Sequence, residues 1–200
     1  MMRARAVLAG VLAAAVLGGC LGRSKSARIY VLDPVAARPA PPPATDPVAV
    51  VGVEKVLVPD WLNRPQITGR AATGEVLTDE LARWGEPLAR GVQRVVTENL
   101  SSLLPDRRVL TAPFPPSGAV DHRVAITLVE AARQADGAVL VEARWEVLEG
   151  TGRVVARHRS SHRAQAAAGA AGAVAGVSEA LAALSREIAE TLRGLKAPRP

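Results

Sequence analysis

The chain has 200 residues, a formal net charge of +6 and one cysteine. A single cysteine excludes an internal disulfide, so any folded domain must be held by its core. The basic residues are 22 arginines and 3 lysines among many Ala, Gly, Val and Pro, a bias that suits a GC-rich genome as well as it suits a ligand.

From the N-terminus, Arg3 and Arg5 precede an apolar run from Ala6 to Gly19. That run is shorter than the about 20 residues a spanning helix needs. A charged start, a short apolar middle and a small-residue exit describe a secretory signal peptide. The exit is Leu17-Gly18-Gly19-Cys20, which resembles the lipobox of bacterial lipoproteins. The resemblance implies a diacylglyceryl group on the Cys20 thiol and, after cleavage, an acyl chain on its amine. Two or more chains hold a protein stably on a membrane where one does not. The alternative is a buried, inert cysteine behind an ordinary signal anchor. By resemblance to enterobacterial sorting, Leu21 in place of Asp points to the outer membrane. The expected organisation is a signal peptide over 1–19, a lipidated tether over 20–27, one domain over 28–195 and a tail over 196–200. Loss of Arg3 and Arg5 leaves a net charge of +4. Nucleic acid is a poor partner for an exported chain. An anionic membrane surface is compatible with the charge.

Arg28 to Leu32 reads as a first strand. Asp33 to Pro47 carries six prolines and reads as an exposed, partly polyproline loop. Val48 to Val58 is apolar except at Glu54 and Lys55, the pattern of an interior strand covered on both sides. Pro59 ends it, and Asp60 to Pro65 forms a turn or short helical corner. Gln66–Ala71 and Glu75–Leu77 suggest a hairpin around Ala72-Thr73-Gly74. Pro87 to Leu104 is a helix: Leu88, Val92, Val95, Val96, Leu100 and Leu103 recur at spacings of three and four. Pro87 suits its first position and Pro105 stops it. Arg94 and Glu98 lie on its other face.

A short strand follows over Arg107–Thr111, then a loop over Pro113–Gly118. His122–Ala131 alternates, with Val124, Ile126 and Leu128 on one face. Val139–Leu148 alternates more cleanly, with Val139, Val141, Ala143, Trp145 and Val147 opposed to Glu142, Arg144 and Glu146. Asp136-Gly137 and Glu149-Gly150-Thr151-Gly152 are hairpin signals leading to a third strand over Val154–Arg163. The run AAAGAAGAVAG, Ala166 to Gly176, carries little information. Val177, Leu181, Leu184, Ile188, Leu192 and Leu195 then mark a C-terminal helix. The expected fold is α+β: a mainly antiparallel sheet with two helices packed on one face.

Chemistry is sparse. The chain has no G-x-S-x-G elbow, no nucleophilic cysteine and no glycine-rich phosphate loop in the right setting. His158 and His162 lie four apart on a strand, roughly 13 Å, too far for one ion; they read as solvent-facing. Arg157, Arg159 and Arg163 share a strand face in a run from Arg153 with no acid. That face is either a docking surface for anionic headgroups or an edge strand protected by charge. Trp61 and Arg64, and Arg83, Trp84 and Glu86, fall in two stretches unusual for plain surface. The tryptophans are either interface anchors or core residues closing the sheet, with Arg83 stacked or paired to Glu86.

The order of motifs carries a resemblance. A lipobox is followed by Tyr30-Val31-Leu32, the valine-rich strand, V-P-D-W-L-N-R-P-Q-I (Val58 to Ile67) with Arg70, R-W-G-E-P-L (Arg83 to Leu88), and last the strand of Trp145. This order resembles the PqiC/YmbA family, auxiliary lipoproteins of ABC-type and MCE-type transport systems. The resemblance implies a non-enzymatic lipoprotein on the periplasmic face of the outer membrane, with a periplasmic MCE-domain protein as partner and lipid as traffic between the membranes. It implies no cofactor beyond the acyl chains of Cys20, no ATP site and no catalytic residues. A homo-oligomer is compatible with it. The motif residues Trp61, Arg64, Arg83, Trp84 and Glu86 carry over as fold or contact positions. A lipid-binding carrier and an outer-membrane assembly lipoprotein are the other readings.

Overall fold

The computed structural model describes residues 25–35, 49–114 and 120–195. Cys20, the signal peptide, most of the proline-rich loop, the end of the Pro113–Gly118 loop and the tail lie outside the described residues. The elements in order are β1 (Arg28–Tyr30), β2 (Ala49–Val53), β3 (Gln66–Arg70), β4 (Val76–Trp84), α1 (Leu88–Leu103), β5 (Arg107–Thr111), β6 (His122–Arg133), β7 (Val139–Glu149), β8 (Val154–Ala164) and α2 (Gly169–Gly194).

The α+β expectation holds, and both helices cover the sheet. The sheet is mixed rather than mainly antiparallel. β6, β7 and β8 form the expected antiparallel meander, and β3 pairs antiparallel with β4. However, β1 runs parallel to β4, β2 parallel to β5 and β6, and β3 parallel to the end of β6. The long strand β6 is the reason. β7 lines one of its edges along its whole length, from His122 opposite Glu149 to Arg133 opposite Val139. Its other edge is shared: β2 takes the first part, with Val51 opposite His122 and Val53 opposite Val124, and β3 takes the last residue, with Gly69 opposite Arg133. The sheet therefore forks into a β2–β5 arm and a β3–β4–β1 arm.

Side-chain alternation drives the layering. Val139, Val141, Ala143, Trp145 and Val147 are all buried, as are Val124, Ile126 and Leu128 of β6. β2 is covered on both faces, as its apolar sequence requires, but it spans five residues; Leu57 returns only to an isolated bridge with Thr127. Gly137 and Gly152 turn the two hairpins at φ of 87° and 94°, a region open to glycine at little cost. α1 buries Leu88, Val92, Val95, Val96 and Leu100; each large aliphatic so buried contributes about 1.5–3 kcal/mol. Pro87 sits one residue earlier than expected, at the N-cap, with its carbonyl accepting from the Gly91 amide at 3.1 Å.

The helices meet through the buried Asn99, whose Nδ2 donates to Ser185 Oγ at 3.2 Å. Arg193 donates to the Leu103 carbonyl at 2.8 Å. Arg133, at the β6–β7 hairpin, donates to the carbonyls of Ala167 and Gly169 and so fixes the entry to α2.

Candidate functional site

Two of the motif stretches meet where β4 ends. The turn after Pro59 is closed by Leu62 and Asn63 amides donating to the Pro59 carbonyl at 2.9 and 3.0 Å, and Leu62 is buried beneath it. The chain then passes through Arg64 and Pro65 into β3. The Trp84 amide donates to the Pro65 carbonyl at 2.7 Å, and the Gly85 amide to the Tyr30 carbonyl at 2.7 Å. Between them opens a cleft of about 370 Å³, lined by Asn63, Arg64, Pro65, Trp84, Gly85, Glu86 and Pro87. The Trp84 ring is half-buried and packs against the core. Arg64 is exposed at the rim.

Glu86 is held by Arg94, which donates through Nε at 3.1 Å and Nη2 at 2.8 Å. Arg94 Nη2 also donates to the Leu32 carbonyl at 2.9 Å, and Nη1 lies 3.5 Å from Glu98. The hydrogen bond to Glu86 raises the Arg94 pKa above its ordinary value; burial opposes this, and the charges of Glu86 and Glu98 add to it. A carboxylate just ahead of α1 also faces the positive end of the helix dipole. Beyond this pair lies a second groove of about 700 Å³ along α1, walled by Glu86, Arg90, Gln93 and Arg94 on one side and Lys55 and Thr111 on the other. Gln93 Nε2 donates to the Val53 and Glu54 carbonyls at 3.2 and 3.0 Å and pins α1 to the end of β2.

The structure thus brings Arg64, Trp84 and Glu86 to one cleft. Trp61 and Arg83 are not among its lining residues. Trp61 is half-buried against the core under the Arg70 guanidinium, 5.5 Å from its ring centre, and Arg70 pairs with the buried Glu130 at 2.8 Å. The pairing of Arg83 with Glu86, one of the alternatives read from the sequence, does not form. Glu86 is committed to Arg94, and Arg83 turns to Glu80, 3.9 Å away.

Arg157, Arg159 and Arg163 do share one face of the edge strand β8. Each is engaged: Arg157 with Glu146 at 2.6 Å, Arg159 with Glu142, Arg163 with Asp136, and Arg153 beside them with Glu149. An external anion would have to compete with these carboxylates. The two histidines of β8 are less free than a solvent-facing reading suggests. His158 stacks on Trp145 with ring centres 4.5 Å apart, and the half-buried His162 places Nε2 3.1 Å from Glu187 Oε2.

Sequence reading missed one polar cluster. His122 is 2% exposed, and diagonally across β2 from it, opposite Ala49, lies Arg107, whose side chain is 8% exposed. His122 Nδ1 and Arg107 Nε and Nη1 are buried without a hydrogen-bond partner among the described residues. Fifteen residues separate the two in sequence, and only the β5–β2–β6 pairing brings them together, so no local spacing signals the cluster. Burial lowers the His122 pKa, and the Arg107 charge lowers it further, against the weaker pull of Asp121 and Glu149. The folded domain therefore keeps His122 neutral at a pH where the unfolded chain, at about 6.5, takes up a proton. This contribution to stability is present above about pH 6.5 and is lost as the pH falls. We expect Tm, followed by circular dichroism, to drop on acidification below about pH 6.5, with a shallower drop in His122→Gln. Equal slopes in both proteins would show that His122 does not carry the effect.

Comparison with known proteins gives this arrangement a family. A crystal structure of an uncharacterized protein superposes with a TM-score of 0.70 at 20% identity, covering 84% of this chain and 99% of its own. A protein from Xanthomonas campestris superposes at 0.66 with 19% identity, covering 82% and 94%. At these identities the likeness speaks for the fold. No curated protein matches the chain in sequence. The family model of the ABC-type transport auxiliary lipoprotein component matches residues 30–189, a span from β1 to the last turns of α2 that includes the Trp84 cleft, and the chain belongs to that family.

Proposed function

We propose that this auxiliary lipoprotein is a non-catalytic adaptor. Acyl chains on Cys20 hold it on the periplasmic face of the outer membrane, and it docks a periplasmic MCE-domain protein of a lipid transport system. The observation that carries the docking role is the cleft between Arg64 and Trp84. Two prolines and a half-buried indole line it beside Asn63, Arg64 and Glu86, a preformed, largely apolar recess that takes one side chain of a partner without reordering. Arg64 is exposed at its rim without an ion-pair partner among the described residues, and Trp and Arg are the residue types that dominate interface hot spots. Glu86 is neutralised by Arg94 at 2.8 Å, so the cleft floor repels no acidic partner.

The test is capture of the MCE-domain protein by the purified lipoprotein. Trp84→Ala is expected to weaken the complex by about 30-fold, the effect of losing about 2 kcal/mol at a hot spot. Arg64→Ala, on an exposed side chain, is expected to weaken it less while leaving Tm unchanged. Unaltered affinity in both variants, with folding intact by circular dichroism, overturns the role of the cleft. Absence of any complex with the unaltered protein overturns the adaptor reading.

A further inference from the structure

We infer that the face of β1 turned away from the helices rests on the bilayer, with its apolar side chains among the lipid headgroups and the cations at the β1 edge on their phosphates; the inference rests on the lipid anchor at Cys20. β1 is an edge strand with apolar side chains on both faces. Tyr30 and then the buried Leu32 turn to the core. Ile29 and Val31 turn the other way and are 63% and 49% exposed. The two form one contiguous surface: both close over Gly85, where a Cβ would lie 3.0 Å from Val31 Cγ1 and 3.1 Å from Ile29 Cγ2. Ile29 is paired in register with Arg83, and Leu81, two residues before it on β4, is 37% exposed. Single exposed apolar residues are ordinary on protein surfaces, whereas a contiguous patch marks a contact.

Charge and position identify the occupant. Lys25, on the approach to β1, and Arg28, which by alternation leaves the strand on the face opposite Ile29, are both exposed at this edge, and neither has an ion-pair partner among the described residues. Arg83 is paired with Glu80 at 3.9 Å and donates to the Glu80 carbonyl at 3.3 Å. Apolar side chains with the exposed Lys25 and Arg28 at the same edge match the interfacial zone of a phospholipid layer, where the apolar groups sink to the headgroup boundary and Lys and Arg meet phosphate. The chain from Cys20 to Ile29 spans at most about 32 Å when fully extended. A domain of this length is about 40 Å across. The β1 end is therefore the end held near the lipid, at a local concentration that makes a small patch sufficient.

Spin-label accessibility on the full-length lipidated protein tests this. Ile29→Cys, Val31→Cys and, as a distant control, Val154→Cys would each be labelled after reconstitution in vesicles of phosphatidylethanolamine and phosphatidylglycerol. Val154 is also exposed, and it lies on β8, at the opposite side of the sheet path from β1. Labels at 29 and 31 are expected to gain oxygen accessibility and lose accessibility to a water-soluble nickel chelate, while the label at 154 stays aqueous. Nickel accessibility at 29 and 31 equal to that at 154 overturns the inference. So does shielding from both reagents with spin–spin broadening, which would mean that a second copy covers the patch. Mass spectrometry of the N-terminal peptide separates the two layers. Acylated Cys20 with aqueous labels defeats the membrane face alone, whereas unmodified Cys20 defeats the anchor and the face with it.

Discussion

Trp145→Ala should remove about 3–5 kcal/mol from the stability of the domain, read as a lower urea midpoint and a Tm about 10 °C lower or more. Trp145 is the largest fully buried side chain, at 0% exposure in the middle of β7. Its indole N–H donates to Ser160 Oγ at 2.8 Å, and its ring carries His158. Truncation leaves a cavity beneath α2 and a buried serine hydroxyl without its donor. The two losses separate experimentally. Trp145→Phe keeps most of the apolar bulk but strands Ser160, itself 5% exposed, at about 1–3 kcal/mol. Adding Ser160→Ala to Trp145→Phe should recover part of that loss. A Trp145→Ala protein with unchanged stability would mean that the indole is not the keystone of the sheet–helix interface.

Gly172→Ala should also destabilise, although helix propensity predicts the reverse. Alanine is favoured over glycine within a helix by about 1 kcal/mol. At Gly172, however, a Cβ would lie 1.8 Å from the Ala167 carbonyl oxygen. That carbonyl belongs to the backbone and is held by Arg133, so it has little freedom to retreat. The net effect is a loss of about 1–3 kcal/mol, the usual range for overpacking. Gly194→Ala is the control, because nothing among the described residues lies within 4 Å of a Cβ there; it should be neutral or slightly stabilising. Thermal unfolding of the two variants side by side decides the matter, and equal behaviour would sink the close-approach argument.

These two sites show which parts of the fold the sequence encodes locally. Alternation along Val139–Val147 exposes the burial of Trp145 directly, because a strand's period of two sorts its side chains by face. The same holds for α1 and the second half of α2. Alternation is blind to strand direction: β1 and β4 pair parallel and β3 and β4 antiparallel, yet nothing in their residues distinguishes the two. The run Ala166–Gly176 looks uninformative because its content is space. Gly172 is shaped by Ala167, and Gly176 by Val139, whose Cγ2 a Cβ would approach to 2.8 Å. The R-W-G-E-P-L motif lies where the cleft opens but suggests the wrong partner for Glu86. Arg83 is nearer in sequence, and two helical turns bring Arg94 nearer in space. The Arg153–Arg163 run reads as uncompensated charge only because its acids lie on β7 and in the preceding hairpin.

The three-residue strand β1 has a mechanical consequence. Everything between an N-terminal hook and the body of the domain passes through Arg28–Tyr30 and its short ladder with β4, backed by the Leu32 side chain and by the Asp33 amide donating to Ser178 Oγ at 3.1 Å. A pull from a bound neighbour would load this seam before it strained β6 or either helix. Because the backbone is continuous through it, peeling β1 from β4 would lengthen the segment ahead of the body instead of releasing the body, so under load the seam would pay out slack.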